Sequence, residues 1–199
     1  LGKFDAVGLK GLAWGEQGFR HITNNRNPIE TPADVEGLKI RTMENPVHLK
    51  AFNAMGAAPT PMAWPEVISS LQQGVIDGQE NPLSVIVSVK LDEVQDYLTL
   101  SGHVYSPAML LVSKSFWDGL DDGQKAAFEK AAAEAVTAMR GYVDNVETSG
   151  VETLKERGMT VNALSNEEKA RFQDAITSAY DDYYETYGQE LVESIVTFE

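Results

Sequence analysis

The chain has 199 residues, enough for one large domain or two small ones with a buried core. Acidic residues outnumber basic residues by 30 to 16, so the formal charge is -14 and the isoelectric point is about 4.6. This balance repels phosphate backbones and anionic lipid surfaces, so we expect no nucleic-acid partner. The sequence has no cysteine, which excludes disulfide scaffolds, cysteine-ligated zinc, iron–sulfur clusters and thiol nucleophiles.

Metal and membrane sites have little support in the sequence. The histidines His21, His48 and His103 are far apart and form no metal-binding pair, so we expect no metal. No stretch approaches the roughly 20 apolar residues of a membrane-spanning helix, so we expect no direct membrane insertion. The chain begins without Met and without the pattern of a signal peptide, and we expect that a segment upstream has been removed.

The first half of the chain alternates between extended and helical patterns. Its first 30 residues are rich in glycine and asparagine, with one strand-like run at Phe19–Thr23. After Gly37, apolar residues alternate with Lys39, Arg41 and Met43, which predicts a strand. Asn45 and Pro46 then predict the N-cap and first residue of a helix that reaches Met55.

Two further junctions repeat this order of strand, proline and helix. An extended run at 58–62 precedes a helix opened by Pro65, and a strand at 75–80 precedes a helix opened by Asn81–Pro82. Repeated strand–helix units predict an α/β layer architecture, in which ligands bind at the carboxyl ends of the strands. Arg41, Trp64 and Asn81 should therefore occupy equivalent places on one edge.

The second half begins with a long extended run and is helical after it. Tyr97–Ser113 predicts a strand, and apolar residues at helical spacing predict one helix over 121–157. At 1.5 Å per residue that helix spans roughly 50 Å, so we expect it to bridge two lobes. Ser165 and Glu168 form a capping box for a last helix that continues through Tyr187.

Four side chains near the predicted strand ends are candidates for ligand contacts. Arg41 can bind a carboxylate with two parallel hydrogen bonds, although a solvated or structurally paired arginine is the alternative. Trp64 is either a platform for a ligand's carbon skeleton or a core residue. Asn81 either orients ligand oxygens or only caps its helix, and Arg20 is either a second anion contact or a surface residue.

Signatures of catalysis are weak in this sequence. Glu66, Asp77 and Glu80 are close enough along the chain for acid–base work, but such clustering is expected among 30 acidic residues. There is no GxSxG elbow, no SxxK pair, no Walker loop and no GxGxxG after a strand. We therefore expect no catalytic residue and no cofactor.

The segment GLKIRTMENPVHLKAFNAMGAAPTPMAWPEVISSLQQGVIDGQENP closely resembles the substrate-binding proteins of TRAP transporters, the tripartite ATP-independent periplasmic systems. The later EVQDYLTLSGH also falls at that family's spacing, and the resemblance covers essentially the whole chain. Members of the family carry a further N-terminal portion upstream of this start. The chain therefore resembles the C-terminal portion of such a protein.

The resemblance implies a two-lobed α/β binding protein of the type II-like class, which closes on an organic anion. We expect residues 1–18 and 107–146 to supply the remainder of the first lobe and the bridging helix. Residues 19–106 and 147–199 would form the second lobe, with the main carboxylate-binding residues.

The resemblance also implies roles for individual residues. Arg41 is at the position of the carboxylate-binding arginine, Trp64 at that of a pocket-lining aromatic and Asn81 at that of a ligand-contacting asparagine. Arg20 resembles a second, more variable arginine. Where many members have Asn three residues after the key arginine, this chain has Glu44 followed by Asn45. A carboxylate there would repel a second acidic group and favour hydroxyl or cationic substituents.

The expected function is a periplasmic solute-binding protein that captures a small organic-acid anion and delivers it to the TRAP membrane permease. Two alternatives stay open from the sequence. One is an α/β enzyme that acts on an organic acid, which needs a nucleophile or base at the strand edge. The other is the ligand-sensing domain of a receptor, which needs a membrane anchor.

Overall fold

The structure, a computed structural model, describes residues 1–196, which contain six strands and eight α-helices. The strands are β1 (Leu9–Asn24), β2 (Ile40–Thr42), β3 (Thr60–Pro61), β4 (Gly78–Pro82), β5 (Tyr97–Ser113) and β6 (Thr160–Ala163). The helices are α1 (Pro46–Ala54), α2 (Trp64–Gln72), α3 (Leu83–Ser88), α4 (Lys114–Asp118), α5 (Asp122–Glu156), α6 (Asn166–Ala175), α7 (Tyr180–Tyr187) and α8 (Gln189–Val196). The expected α/β class is confirmed.

The strands form one sheet in the order β3-β2-β4-β1-β5-β6. β2 pairs in parallel with both β3 and β4, and β5 pairs in parallel with β6. In this register Arg41 lies opposite Thr60 on one side and opposite Gln79 on the other. The chain leaves β2, β3 and β4 toward the helices α1, α2 and α3, so the junctions predicted from the sequence lie on neighbouring strands.

The chain forms two compact units, in keeping with a two-lobed fold. The first unit contains Leu1–Arg20, Asn81–Val89 and Gly102–Leu154. The second contains His21–Glu80, Lys90–Ser101 and the described chain from Lys155 onward. These units divide the chain after residues 20, 80, 89, 101 and 154, whereas the expected lobes divide it after 18, 106 and 146. The assignment of these stretches to lobes stays a prediction.

The second unit has a continuous apolar core beneath β2. Ile40 is fully buried on the face opposite Arg41, and Phe52 of α1 and Phe172 of α6 belong to the same cluster. The period of two in β2 therefore separates a core face from the face that carries Arg41. The other members of the cluster are Ile22, Ile29, Val35, Leu38, Met55, Ala57 and Leu164.

The first unit is built on α5, whose 35 residues form the predicted long helix. Asp121 begins it with a reciprocal cap: its carboxylate accepts from the N–H of Gln124 at 2.8 Å, and its own N–H donates to the Gln124 side chain at 3.0 Å. All but the last two residues of α5 belong to the first unit. The helix continues into the second unit at its C-terminal end, and its role as a bridge between two lobes stays a prediction.

The strand-like run predicted at Phe19–Thr23 belongs to a longer strand, which includes most of the glycine-rich N-terminal stretch. β1 begins at Leu9. The glycines within this strand allow close packing against neighbouring side chains instead of forming turns. A Cβ at Gly15 would lie 2.5 Å from the sulfur of Met139 on α5, and a Cβ at Gly11 would lie 2.8 Å from the Leu1 side chain. A methyl group at either position would therefore require the Met139 or the Leu1 side chain to move.

The predicted helix start at Asn81–Pro82 is wrong, because both residues belong to β4 and α3 begins at Leu83. Pro82 is the N-cap residue, with φ -64 and ψ 154. The Asn81 side chain makes no cap because its amide oxygen accepts a hydrogen bond from Arg20. A tertiary partner therefore competes successfully with the local capping pattern.

The single last helix predicted from Ser165 to Tyr187 is also wrong. Ser165 does cap α6, where its hydroxyl accepts from the N–H of Glu168 at 3.2 Å. The helix ends at Ala175, and a 3-10 turn at Thr177–Ala179 separates it from α7. The Thr177 hydroxyl donates to the carbonyl of Asp174 at 2.9 Å, a local bond that competes with the regular helix pattern.

Gly78 provides a test of how tightly β4 packs against β1. A Cβ at this position would overlap the carbonyl oxygen of Thr23 and would lie 2.9 Å from the Asn24 Cβ. Because the overlap involves backbone atoms, we expect Gly78→Ala to lower the free energy of unfolding by about 3 kcal/mol in denaturant titration.

Gly141→Ala is the matched control, because Gly141 lies in α5 with open space around the added methyl group. We expect this change to raise the free energy of unfolding by up to about 1 kcal/mol, since alanine favours a helix. Equal effects of the two substitutions would contradict the close approach at Gly78.

Candidate functional site

Arg41 is the buried cation of the second unit. Its side chain is only 5% exposed, which excludes the alternative of a solvated arginine. Nε and Nη2 both donate to the carbonyl oxygen of Met62, at 3.1 Å and 2.9 Å. The Trp64 ring lies 5.6 Å from the guanidinium carbon. Met62 and Trp64 together therefore fix both the direction and the plane of the guanidinium.

Trp64 is an exposed residue rather than a core residue. It is the first residue of α2 and is 36% exposed, and Pro65 follows it at the second helical position. The N-cap Ala63 has no side-chain cap, so the segment from Met62 to Pro65 places a carbonyl oxygen and an aromatic ring around Arg41. This arrangement leaves part of the indole accessible for a ligand.

Arg20 and Asn81 meet in the first unit. Arg20 is 3% exposed, which excludes a surface arginine, and its Nη2 donates to Oδ1 of Asn81 at 3.1 Å. Its Nη1 donates to Oγ of Ser106 at 3.3 Å. These residues come from β1, β4 and β5, so three strands hold one guanidinium.

Glu44 and Asn45 line a different pocket of the second unit. Oδ1 of Asn45 accepts from the N–H groups of Val47 and His48, at 2.9 Å and 3.4 Å, so Asn45 is the N-cap that the sequence predicts. Glu44 is exposed beside it. The two residues share a cavity of about 430 Å³ with α7 residues, namely Asp182, Tyr183, Thr186 and Tyr187. The roles of Glu44 and Asn45 in ligand binding stay predictions.

The structure thus brings the predicted residues together in pairs within each unit. Arg41 lies with Trp64, Arg20 with Asn81, and Glu44 with Asn45. Sequence reasoning missed Met62 and Ser106, which hold the two arginines. Met62 acts through its carbonyl oxygen, which no residue pattern indicates. Ser106 lies 86 residues from Arg20 and carries no local signal.

Acidic groups surround the strand that carries Arg20. Burial, then the charge of Glu16 and a hydrogen bond to its side chain, raise the pKa of Tyr105. Burial and the charge of Glu16 also raise the pKa of Glu147. The Glu147 carboxylate lies beside Gly18, where a Cβ would come within 3.1 Å of it. Gly18 has φ +101, a conformation that glycine adopts without strain.

The described part of the chain, residues 1–196, has neither a metal-binding cluster nor a membrane-spanning helix. Within residues 1–196, no group of three or more histidine, aspartate or glutamate side chains could hold a metal ion. Across the same residues, no helix is both long enough and apolar enough to span a membrane. The chemistry of the buried arginines, with their aromatic and polar neighbours, suits a small anion.

Comparison with known proteins identifies the family. The family model described as bacterial extracellular solute-binding protein, family 7, matches residues 1–186. The chain belongs to this family. A solute-binding protein of Verminephrobacter eiseniae is 47% identical over 195 residues, which are 98% of this chain and 58% of that protein. The 2,3-diketo-L-gulonate-binding periplasmic protein of Escherichia coli is 38% identical over 90% of this chain and 54% of its own length.

Solved structures of family 7 have the same fold. A TRAP periplasmic solute-binding protein from Bordetella, with density interpreted as pantoate, has a TM-score of 0.93 and 54% identity. It covers 100% of this chain, which spans 65% of that structure. A TRAP protein from Polaromonas sp. JS666, bound to D-erythronate, has a TM-score of 0.93 and 45% identity, and the match covers 99% and 64% of the two chains. These matches confirm the resemblance to TRAP solute-binding proteins.

Substitution of Trp64 tests whether this residue contributes to ligand binding or to the stability of the fold. Because Trp64 is 36% exposed, we expect Trp64→Ala to change the melting temperature of the ligand-free protein only modestly. The same substitution should weaken ligand binding if the ring is a platform. Differential scanning calorimetry with and without ligand measures both effects.

Trp117→Ala is the control for a buried tryptophan. Trp117 is 7% exposed in the first unit, where it packs edge-on against Phe128. We expect its removal to lower the free energy of unfolding by about 3–5 kcal/mol. A similar loss in Trp64→Ala would assign Trp64 to the core instead.

Proposed function

We propose that this protein captures a small organic-acid anion in the periplasm and delivers it to the membrane permease of a TRAP transporter, without chemical change. The observation that carries the proposal is the Arg41 guanidinium, which is buried and held by Met62 and Trp64. A fixed cation withdrawn from water suits an anionic ligand because its orientation is set before the ligand arrives.

The geometry of Arg41 suggests which atoms would bind. Its Nε–Nη2 edge is directed at the Met62 carbonyl, which fixes the plane of the guanidinium. A guanidinium has parallel N–H groups that match the two oxygens of a carboxylate. The Trp64 ring beside it would contact the carbon skeleton of the ligand.

The ligand class is suggested by the chemistry of the relatives' ligands. Pantoate and D-erythronate, found with proteins 54% and 45% identical to this chain, each combine one carboxylate with a hydroxyl group on the adjacent carbon. We therefore propose a 2-hydroxy monocarboxylate as the ligand of this protein.

A ligand screen tests the proposed function. We expect pantoate and D-erythronate to raise the melting temperature of the purified protein more than succinate does, because a ligand that binds only the folded state stabilises it. The screen should include sugar acids and keto acids. NMR spectra of the ligand after incubation should be unchanged, and any new compound in those spectra would favour the enzyme alternative.

Arg41 is the residue whose loss should abolish capture. Arg41→Ala would leave the ligand carboxylate without its charged partner, which costs about 2–5 kcal/mol, or roughly 30- to 5,000-fold in affinity. Arg41→Lys should recover only part of the affinity because an ammonium group lacks the planar fork. Calorimetric titration with D-erythronate measures both variants.

Arg171→Ala is the matched control, because Arg171 is an exposed arginine of α6 that pairs only with Glu168 of the same helix among the contacts described. We expect it to bind D-erythronate with wild-type affinity. Wild-type affinity in a folded Arg41→Ala variant would remove Arg41 from the site and overturn this mechanism.

A further inference from the structure

A row of polar side chains crosses the sheet of the second unit beside Arg41. Gln79 of β4 is the register partner of Arg41 on β2, so the two side chains leave the same face of the sheet, from strands about 5 Å apart. Thr23 of β1 and Gln95, which precedes β5, continue this row through hydrogen bonds between side chains. Thr23, Gln79 and Gln95 are all buried, so the row is withdrawn from water.

The hydrogen bonds of this row have a direction that two backbone carbonyl groups fix. Nε2 of Gln95 donates to the carbonyl oxygens of Val94 and Asp77, at 3.0 Å and 3.4 Å. Because a carbonyl oxygen only accepts, the other end of the Gln95 amide is its oxygen, which accepts from the Thr23 hydroxyl at 2.8 Å. The single proton of that hydroxyl is used in this bond. Thr23 Oγ1 is therefore an acceptor toward Gln79.

This direction sets the orientation of the Gln79 amide. Its Nε2 donates to Thr23 Oγ1 at 3.0 Å, since the hydroxyl has no second proton to donate. The strand order places β4 between β1, which carries Thr23, and β2, which carries Arg41. The nitrogen and the oxygen of an amide diverge from one carbon atom. A Gln79 amide whose nitrogen faces β1 therefore turns its oxygen away from β1, which is the direction of β2.

We propose that Gln79 is a positioning residue of the organic-acid site, where its amide oxygen orients the Arg41 guanidinium for the ligand. This inference rests on the function proposed above. The carbonyl of Met62, which follows β3, holds the guanidinium on one side of β2, and Gln79 is its neighbour on the β4 side. An amide nitrogen in place of the oxygen would turn N–H groups toward a cation that has only N–H groups itself. Thr23 contributes by selecting the amide orientation that avoids this.

A charge substitution tests whether Gln79 and Arg41 are neighbours. Gln79→Glu places a carboxylate at the position of the amide, where it would compete with the ligand for the Arg41 guanidinium. We expect calorimetric titration to show binding of D-erythronate at least about 30-fold weaker than in the wild type. Gln72→Glu makes the same charge change at an exposed residue of α2 and should bind within about twofold of the wild type. Equal affinities of these two variants would overturn the proposal.

A double-mutant cycle tests whether Thr23 acts through Gln79. Thr23→Val keeps the shape of the side chain and removes the hydroxyl, and we expect it to weaken binding about fivefold. In a Gln79→Met background, which has no amide to orient, the same change should weaken binding less than about twofold. An equal loss in both backgrounds would overturn the proposal, since Thr23 would then act independently of the amide.

Thr23→Ser is the conservative variant, because it keeps the hydroxyl and should bind within about twofold of the wild type. Melting temperatures of the ligand-free variants, which should stay within a few degrees of the wild type, establish that each variant is folded. If a Gln79 variant does not fold, the comparison of Thr23→Val with Thr23→Ser decides, and equal affinities in those two variants overturn the proposal.

Failure of the proposed function has a different signature. If the wild-type protein and Gln72→Glu bind neither D-erythronate nor pantoate nor the other acids of the screen, both proposals are overturned. If the wild type binds one of these acids, and Gln79→Glu and Thr23→Val bind it equally well, only the role of Gln79 is overturned.

Discussion

The burial of two arginine side chains is the constraint on which the rest of the site depends. A guanidinium keeps its charge inside a protein and carries five N–H donors, so it can leave water only where acceptors are already in place. Arg41 and Arg20 are 5% and 3% exposed. Among the acceptors that orient them are a backbone carbonyl for one, and an amide and a hydroxyl for the other. Each of these acceptors lies on a different segment of the chain from the arginine that it holds.

The strands place those acceptors. β2 and β3 run in parallel in the second unit, so the chain that leaves β3 brings the Met62 carbonyl to Arg41. The first unit brings Asn81 and Ser106 to Arg20 from two other strands. Tight packing supports this placement, because Gly78 lets β4 approach the backbone at Thr23 and Gly15 lets α5 approach β1. Glycine at these positions is a packing requirement rather than a signal for a turn.

Predictions from the sequence succeeded for structural features whose physical cause lies within a few residues of the chain. The strand at Tyr97–Ser113, the cap by Asn45 and the start of the long helix after Asp121 were all predictable, because hydrophobic period and capping are local. It failed at Asn81–Pro82 and at Ile176, where a local pattern competed with another partner. Asn81 is a residue type that often caps helices, but its amide oxygen accepts a hydrogen bond from Arg20, which is 61 residues away along the chain. The apolar stripe through Ile176 continues at helical spacing, yet the helix ends there.

The sequence by itself determined the α/β class, the absence of cysteine chemistry, the family and the two arginines that are candidates for anion binding. Only the tertiary structure decided that Arg41 and Arg20 are buried, that Met62 and Ser106 hold them, and that Glu44 and Asn45 face a pocket beside α7. The reason is the range of the interactions. Period and capping act within one or two turns of chain. The acceptors of the buried arginines are 21 to 86 residues away along the chain, and only folding brings them within hydrogen-bond distance.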